Sequence, residues 1–331
     1  MRIAVDAMGG DHAPREIVRG AVAGLCHLNS DSQIVLVGRR EAVEPELAAC
    51  NGWQDRVVVE HADQVIGMGD PPVESIRQKR RSSIARMVAL AGDKQVDALI
   101  SAGNTGACAA ACQLKLRLLP GVSRPGIAVV IPTFGGPLVI CDVGANVAPR
   151  PRHLYEYTLM SSVYAAKLLG IEAPRVGLLS IGSEDVKGNE LVRGARELIR
   201  ADTRINLTGN VEGRDLFEGK IDVAICDGFV GNVVLKLVEG LAEGLFNTIR
   251  KEIAEANADL AESFKPVIQT VWAKHDYNEY GGAPLLGVDG LCVICHGSSD
   301  ARAIKNAIRV VEHLHRQNLN PAIVERMQSR S

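Results

Sequence analysis

The sequence has almost no excess of charge of either sign, and it lacks a long apolar run. Its 37 Lys and Arg residues nearly balance 39 Asp and Glu residues, so the net charge is −2 and no overall field attracts nucleic acid or an anionic membrane. No apolar run approaches the ~20 residues that cross a bilayer, and the start, Met1–Asp6, lacks the apolar core of a signal peptide. We therefore expect a cytoplasmic protein that binds no nucleic acid.

Two nucleotide-binding signatures are also missing. The first predicted strand runs into Asp6–Pro14 (DAMGGDHAP), where Gly9 and Gly10 permit a close backbone approach to a ligand. The segment lacks the spacing of a dinucleotide fingerprint, and no Walker lysine follows it. These absences disfavour NAD and ATP as ligands.

Cysteine is present, but its pattern indicates no cofactor. Most of the eight cysteines lie in apolar stretches, where the residue behaves as a small hydrophobe. The pairs Cys108/Cys112 and Cys292/Cys295 have spacings seen in metal sites, yet such spacing alone is a weak signal. We expect reduced thiols and no metal.

Length and periodicity predict an α/β protein. At 331 residues the chain exceeds the ~250–300 residues at which single cores stop growing, so two α/β lobes are expected. Short apolar runs alternate with helical patterns, which predicts a mainly parallel sheet with ligands at the carboxyl ends of its strands. The predicted strands are 2–6, 34–38, 56–60, 96–100, 126–131, 138–142, 175–181, 204–208, 221–226 and 290–294, and the predicted helices are 14–28, 42–50, 72–91, 106–117, 153–169, 189–201, 232–256 and 299–317.

The junction at Gly103-Asn104-Thr105-Gly106 carries the strongest site signal. It joins the predicted strand 96–100 to an Ala-rich helix. Glycine and asparagine reach left-handed geometry cheaply, and the N–H groups of the helix that follows would converge on one small volume that suits phosphate. An ordinary turn, with Asn104 or Thr105 capping the helix, is the alternative.

Other strand ends use the same residue types. Gly-Asn recurs at 188–189, 209–210 and 231–232, and Gly144-Ala145-Asn146 is a near variant. Such turns expose backbone donors, and we expect them to line one shared cleft. Lys187 is a lone cation among glycines and acids, where it could bind phosphate as a point charge. His296 precedes the last predicted helix, so it could meet a ligand or be an ordinary surface residue.

Two helical segments have more than one interpretation. The predicted helix 72–91 carries Arg77, Lys79, Arg80, Arg81 and Arg86, which form either a solvated face or a dock for an acidic partner. Residues 232–275 carry an apolar stripe that indicates core or dimer packing, with a peripheral membrane contact as the alternative that the acids at 252, 255, 259 and 262 disfavour. The stripe consists of Ile249, Ile253, Ala256, Leu260, Phe264, Val267, Ile268, Val271 and Trp272.

Nine short motifs, in the order in which they occur along the chain, resemble the phosphate acyltransferase (PlsX) family. They are Asp6–Pro14, Ser101–Gly106, Asp142–Asn146, Lys187–Asn189, Gly209–Gly213, Cys226–Phe229, Gly231–Asn232, Tyr280–Gly287 and His296–Asp300. The resemblance implies transfer of an acyl group from acyl carrier protein to inorganic phosphate, which feeds phospholipid synthesis, without a cofactor or metal. It also implies a homodimer with a two-lobed fold of the isocitrate/isopropylmalate dehydrogenase-like type, related to phosphotransacetylase. Peripheral association with the inner face of the cell membrane and a downstream membrane glycerol-3-phosphate acyltransferase belong to the same expectation.

Within that resemblance we assign roles from loop chemistry. Gly103, Asn104, Thr105, Gly106 and Ser298 would hold phosphate and Lys187 would neutralise its charge. Asn146 or Asn232 would donate to the developing oxyanion, while His296 assists proton transfer. Arg77, Lys79, Arg80 and Arg81 would dock the acidic carrier protein. The lobes would be 1–145, completed by 290–331, and 146–289, with a helical hairpin near 232–275.

Three other functions remain open from the sequence. An acyl-CoA phosphotransacetylase could use the same cleft. A non-catalytic module would bind an anion or lipid without turnover. A dehydrogenase of similar fold would need a nicotinamide site, for which the sequence has no fingerprint.

Overall fold

One continuous sheet of eleven strands organises the computed structural model, which describes residues 1–256, 262–267, 270–271 and 277–329. The strand order is β3-β2-β1-β4-β11-β10-β5-β6-β9-β7-β8. The strands are β1 Arg2–Asp6, β2 Gln33–Gly38, β3 Val57–His61, β4 Ala98–Ser101, β5 Gly126–Thr133, β6 Gly136–Cys141, β7 Arg175–Leu179, β8 Asn206–Val211, β9 Val223–Ile225, β10 Ala283–Leu286 and β11 Leu291–Ile294.

The sheet contains two parallel blocks. In the first block β3, β2, β1, β4 and β11 are parallel, and in the second block β6, β9, β7 and β8 are parallel. Antiparallel pairs of β10 with β11 and β5, and of β5 with β6, join the blocks. The predicted α/β class with a mainly parallel sheet is confirmed. The lobe boundaries stay a prediction, because β5 and β10 make the sheet continuous across them.

Helices cover both faces of the sheet. Buried residues of α1, α2, α6, α7, α9 and α10 belong to one core, and those of α3, α4 and α5 belong to the other, against which α8 also packs. Strand residues alternate between the cores, with Ile3 and Val5 in the first and Ala4 in the second. The helices are α1 Arg15–Gly24, α2 Arg40–Ala48, α3 Pro72–Gln78, α4 Ser83–Gly92, α5 Thr105–Lys115, α6 Pro151–Leu169, α7 Glu190–Ala201, α8 Gly228–Ala256, α9 Ala301–Arg316 and α10 Leu319–Gln328.

The structure divides the predicted helix 72–91 into α3 and α4. Gln64 causes the break, because its side-chain oxygen accepts from the Arg81 backbone N–H at 3.1 Å and its carbonyl accepts from the Ser83 N–H at 3.1 Å. Ser82 then caps α4 by accepting from the Ala85 N–H at 3.3 Å. A single basic helix was therefore the wrong prediction, and the basic residues lie on α3, α4 and the turn between them.

Two elements near the chain end differ from the prediction. The segment predicted as a glycine-rich loop at 280–287 contains strand β10, because Gly281 and Gly282, with φ of 69° and 97°, turn the chain just before it pairs with β11. Helix α10 was not predicted. In the predicted hairpin, residues 262–267 are helical, whereas Leu260, Ile268 and Trp272 of the predicted stripe lie outside the described residues. No described helix combines the length and apolarity that crossing a membrane requires.

Candidate active site

Three loops meet beyond the carboxyl ends of β1, β4 and β11, which are neighbours in the first block. The Asp11 N–H donates to the Gly297 carbonyl at 2.8 Å, which joins the loop after β1 to the loop after β11. A Cβ on Gly9 would lie 2.6 Å from the Gly103 nitrogen, so the loops after β1 and β4 touch through their backbones. The predicted convergence of strand-end loops therefore exists within this block.

A buried carboxylate supports this crossing. Asp6, 1% exposed, accepts from the Ser101 hydroxyl at 2.8 Å and from the Met8 N–H at 3.1 Å. Ser101 in turn accepts from the Gly103 N–H at 3.1 Å. Burial raises the pKa of Asp6, while these hydrogen bonds oppose the rise. Asp6 thus fixes the backbone of the 101–103 turn from inside the protein.

Helix α5 begins with an open N-terminus. Asn104 caps it, because its side-chain oxygen accepts from the Ala107 N–H at 2.9 Å. Its amide donates to three carbonyls of the 67–70 loop at 3.1–3.2 Å. Among the described residues the backbone N–H groups of Thr105 and Gly106 have no acceptor. The cap therefore does not exclude an anion site, because Asn104 builds the turn and the next two N–H groups stay available to a small anion.

The N-terminus of α9, by contrast, is closed by carboxylates. The Ala301 N–H donates to Glu16 at 3.2 Å, and Asp300 accepts from the Ala303 N–H at 2.8 Å. These groups leave no positive helix end for phosphate. The 296–300 loop offers side chains instead, including the Ser299 hydroxyl, which is buried and without a partner in the described part of the chain.

In the second block, the loop after β6 is built around Asp142. This fully buried carboxylate accepts from four backbone N–H groups and from the Asn146 amide. The Asn146 amide also donates to the Pro125 carbonyl at 2.7 Å. Both amide protons of Asn146 thus have partners, whereas Asn232 is exposed in the first turns of α8 and its amide has none among the described residues. Of the two oxyanion candidates, Asn232 is the free donor.

Lys187 lies in the turn after β7. Asn210 on β8 holds this turn by donating to the Glu184 carbonyl at 2.9 Å and the Lys187 carbonyl at 3.3 Å. Lys187 is exposed, and it makes no ion pair within the described ranges. The turn forms no hydrogen bond with the 103–106 or 296–299 loops, so the assignment of Lys187 to phosphate stays a prediction.

One contact links the two blocks beside the site. The Lys236 ammonium on α8 lies 2.7 Å from His296 Nε2 and 2.7 Å from the Glu239 carboxylate. On the other side of the ring, His296 Nδ1 lies 2.7 Å from the Ser298 hydroxyl. Lys236 and Glu239 were not among the residues predicted from the sequence. Their only signal is an i, i+3 charge pair that follows Gly231-Asn232 on the same helix.

The basic segment packs beside the open helix end. Pro72 at the start of α3 would contact a Cβ on Gly106 at 2.7 Å, so α3 lies directly against the first turn of α5. Among the docking candidates, Lys79 is bound to Asp70 at 2.5 Å and Arg81 to Asp63 at 2.8 Å. Arg77 and Arg80 are the two candidates without a carboxylate partner in the described residues, and both are exposed.

Three buried thiols form the cluster closest to a metal-ligand set. Cys292 Sγ lies 3.8 Å from Cys108 Sγ and 3.7 Å from Cys112 Sγ, and all eight cysteines are free. Burial among the other thiols raises the pKa of each well above its ordinary range. All three thiols belong to the apolar core against the Ala-rich α5, and the expectation that they bind no metal stays a prediction.

Comparison with known proteins gives a consistent match over the whole chain. A family model described as fatty acid synthesis protein matches residues 1–321. The phosphate acyltransferase of Moorella thermoacetica is 48% identical over 325 residues, covering 98% of this chain and 95% of that protein. The phosphate acyltransferase of Heliobacterium modesticaldum is 48% identical over 331 residues, covering 98% and 97%.

Solved structures of lower identity share the fold. A phosphotransacetylase from Streptococcus pyogenes superposes with a TM-score of 0.63 at 18% identity, covering 95% of this chain and 94% of that chain. A branched-chain phosphotransacylase from Enterococcus faecalis gives a TM-score of 0.56 at 14% identity, covering 95% and 98%. At such identities the likeness concerns the fold alone, and it confirms the expected relation to the phosphotransacetylase architecture.

Proposed function

Because the chain belongs to the fatty acid synthesis protein family and is an acyltransferase like its phosphate acyltransferase relatives, we propose that it transfers a fatty acyl group from acyl carrier protein to inorganic phosphate. The products are acyl phosphate and the free carrier, and acyl phosphate supplies phospholipid synthesis through a membrane glycerol-3-phosphate acyltransferase. The arrangement of α3 on α5 supports the carrier as donor. It sets the exposed Arg77 on the helix that packs against the first turn of α5, and the exposed Arg80 in the turn that follows this helix.

Phosphate is the nucleophile in this reaction, so no acyl-enzyme is needed. The Thr105 and Gly106 N–H groups hold the anion, with Ser298 beside them and Lys187 neutralising charge. Asn232 donates to the oxyanion that develops on the thioester carbonyl. A phosphate oxygen bonds to the carbonyl carbon, the C–S bond breaks, and His296 moves the phosphate proton to the departing thiolate. A thiol of pKa ~8.5 leaves readily, so positioning is the main task of the enzyme.

The test is acyl phosphate formation from long-chain acyl carrier protein with and without phosphate. Phosphate-dependent formation supports the proposal, and phosphate-independent loss of thioester indicates a thioesterase instead. A parallel reaction with acyl-CoA separates the carrier-dependent enzyme from a phosphotransacetylase-like one, which would prefer acyl-CoA.

Lys187→Ala and His296→Ala should each lower turnover. If both keep normal turnover and phosphate dependence, their assigned roles are wrong.

Carrier docking on α3 has a separate test. Arg77→Glu with Arg80→Glu should raise the KM for acyl carrier protein about tenfold at low salt, because rim charges act on association with an acidic partner. The KM for phosphate should stay the same. Arg193→Glu is the matched control, since Arg193 is an exposed arginine on α7, which covers the other face of the sheet. If the double variant has an unchanged KM for acyl carrier protein, Arg77 and Arg80 do not contribute to binding the carrier.

Helix α8 supports the proposed homodimer. Six apolar side chains recur every four residues along it and are 39–67% exposed, so the described residues leave this stripe largely uncovered. They are Phe229, Val233, Leu237, Leu241, Leu245 and Ile249. The stripe winds slowly around the helix, because four residues exceed one turn. The exposed Phe264, Val267 and Val271 that follow support the peripheral membrane contact in the same way. Sedimentation equilibrium and vesicle flotation measure the two associations separately.

A further inference from the structure

The His296 ring is held between two groups that determine where its proton lies. An ammonium group has donors only, so Lys236, 2.7 Å from Nε2, must face the lone pair of that nitrogen. The proton then lies on Nδ1, from which it reaches the Ser298 hydroxyl at 2.7 Å. A doubly protonated ring would set two cations 2.7 Å apart. The Ser298 backbone N–H lies 3.2 Å from Nδ1 and favours the opposite tautomer, but the ammonium is the closer and charged donor. We therefore assign the proton to Nδ1 from these partners, which makes Nε2 the basic nitrogen.

Lys236 is itself held in place by Glu239. The carboxylate lies 2.7 Å from the ammonium but 3.9 Å from His296 Nε2, so its direct partner is Lys236. The Glu239 side chain is 16% exposed and the Lys236 side chain 49%. The more buried carboxylate thus holds the longer side chain, and the contact of Lys236 with His296 joins α8 to the loop after β11.

From this arrangement we propose that Lys236 is a positioning residue, which keeps His296 in the Nδ1-protonated form so that Nε2 can accept the phosphate proton during acyl transfer. The proposal rests on the proposed function and deepens it. The proton leaves the attacking phosphate oxygen for Nε2 and then passes to the thiolate released from the carrier. Before phosphate binds, the Lys236 ammonium occupies the Nε2 lone pair. When phosphate enters, this ammonium turns its N–H groups to the phosphate oxygens, while Glu239 still holds it. Nε2 is then free to take the proton, and the charged ring forms beside an anion and not beside a second cation.

The first test reads the tautomer directly and needs no substrate. Nitrogen-15 NMR of the His296 ring, assigned with the His296→Ala variant, should report mainly the Nδ1-protonated form at mildly alkaline pH. In Lys236→Met the ring should shift toward the Nε2-protonated form. The structure gives the reason: the Ser298 N–H lies 3.2 Å from Nδ1 and becomes the better donor once the ammonium is gone. An unchanged tautomer in Lys236→Met overturns the proposal whatever the enzyme catalyses.

The second test uses kinetics and non-additivity. Lys236→Met should lower kcat about 10–100-fold, less than the roughly 10²–10⁴-fold that a positioned general base contributes, because His296 is still present. The KM for acyl carrier protein should be unchanged. Lys236→Arg should retain most of the kcat of the unmodified protein, because arginine keeps a cationic hydrogen-bond donor at this position. Since Lys236 acts through His296, Lys236→Met combined with His296→Ala should be no slower than His296→Ala alone.

The matched control is Lys251→Met. Lys251 lies on the same helix and pairs with Glu255, 3.7 Å away, so it tests the loss of an α8 lysine without the histidine contact. Losses that multiply in the double variant, or an equal loss in Lys251→Met, overturn the proposal. Absence of acyl phosphate from the unmodified protein would refute the proposed function instead, and the NMR result would still stand.

Discussion

Asn104 makes two separable contributions, and a substitution series can measure each. Its oxygen caps α5, and its amide clamps the three carbonyls of the 67–70 loop. Loss of an N-cap costs about 1 kcal/mol, and two amide protons contribute about 0.5–1.5 kcal/mol each. Asn104→Ala should therefore lower the free energy of unfolding by about 2–4 kcal/mol. Asn104→Ser keeps the cap and should lose only the clamp, about 1–3 kcal/mol.

Asn104→Asp separates the two effects further. Aspartate retains an oxygen that can cap α5, but it turns a carboxylate toward the 67–70 carbonyls. The Asn104→Asp variant should therefore be at least as destabilised as Asn104→Ala, although alanine cannot cap the helix. It should also weaken phosphate binding, because the new charge lies beside the Thr105 and Gly106 N–H groups.

Denaturant unfolding measures the free energies, and hydrogen exchange at residues 65–71 measures the clamp directly. Asn189 provides the control, since its side chain caps α7 by accepting from the Val192 N–H at 2.9 Å and has no clamp. Asn189→Ser should cost less than about 0.5 kcal/mol. If Asn104→Ser is as stable as Asn189→Ser and exchange at the loop is unchanged, the clamp does not stabilise the site.

Two further predictions concern stability. The hydrogen-bonded Arg204 guanidinium lowers the pKa of Asp202 to about 2, so this pair stabilises the protein above the unfolded pKa near 4 and loses its effect as the pH falls toward 2. Asp202→Asn should cost on the order of 1–2 kcal/mol at neutral pH, and a difference that did not shrink on acid titration would contradict this. Gly231→Ala would set a Cβ 1.9 Å from the Asp142 carbonyl oxygen and should cost about 3 kcal/mol, whereas Gly240→Ala, with nothing within 4 Å, should be neutral or slightly stabilising in thermal melts.

Most strands could be predicted from the sequence because their buried residues form short apolar runs. Strand β10 could not, since the glycines before it and Pro284 within it favour a loop, and only its pairing with β11 and β5 makes it a strand. The break between α3 and α4 likewise depends on Gln64, which lies 17 residues before Arg81 and bridges to Ser82. The local sequence pattern cannot predict which remote segment a residue or strand will pair with.

A meeting of strand-end loops could be expected from the sequence, whereas the roles assigned to the site residues stay predictions. The loops after β1, β4 and β11 meet because these strands are adjacent and parallel. Strand-helix alternation indicates the parallel direction but not which strands are neighbours. The availability of each side chain was not predictable. Asn104, Asn146 and Asn232 all lie in similar Gly-Asn or Gly-Ala-Asn turns. The amides of Asn104 and Asn146 donate to backbone carbonyls, whereas the amide of Asn232 has no acceptor among the described residues.

The contact of Lys236 with His296 could not be predicted from the sequence, because it joins the two parallel blocks of the sheet. Strand β9, which α8 follows, lies four positions from β11 in the sheet, a separation of about 19 Å at ~4.8 Å per strand. Lys236 is the eighth residue after Gly228, about 12 Å along the helix axis at 1.5 Å per residue, and its long side chain covers the remaining distance to His296. The contact thus depends on the direction in which α8 crosses the sheet. Gly231 sets that direction, because its missing side chain lets the helix start lie against Asp142. Gly231→Ala should therefore shift the His296 tautomer in the same sense as Lys236→Met, and an unchanged ring in a folded Gly231→Ala protein would show that α8 reaches His296 without this close approach.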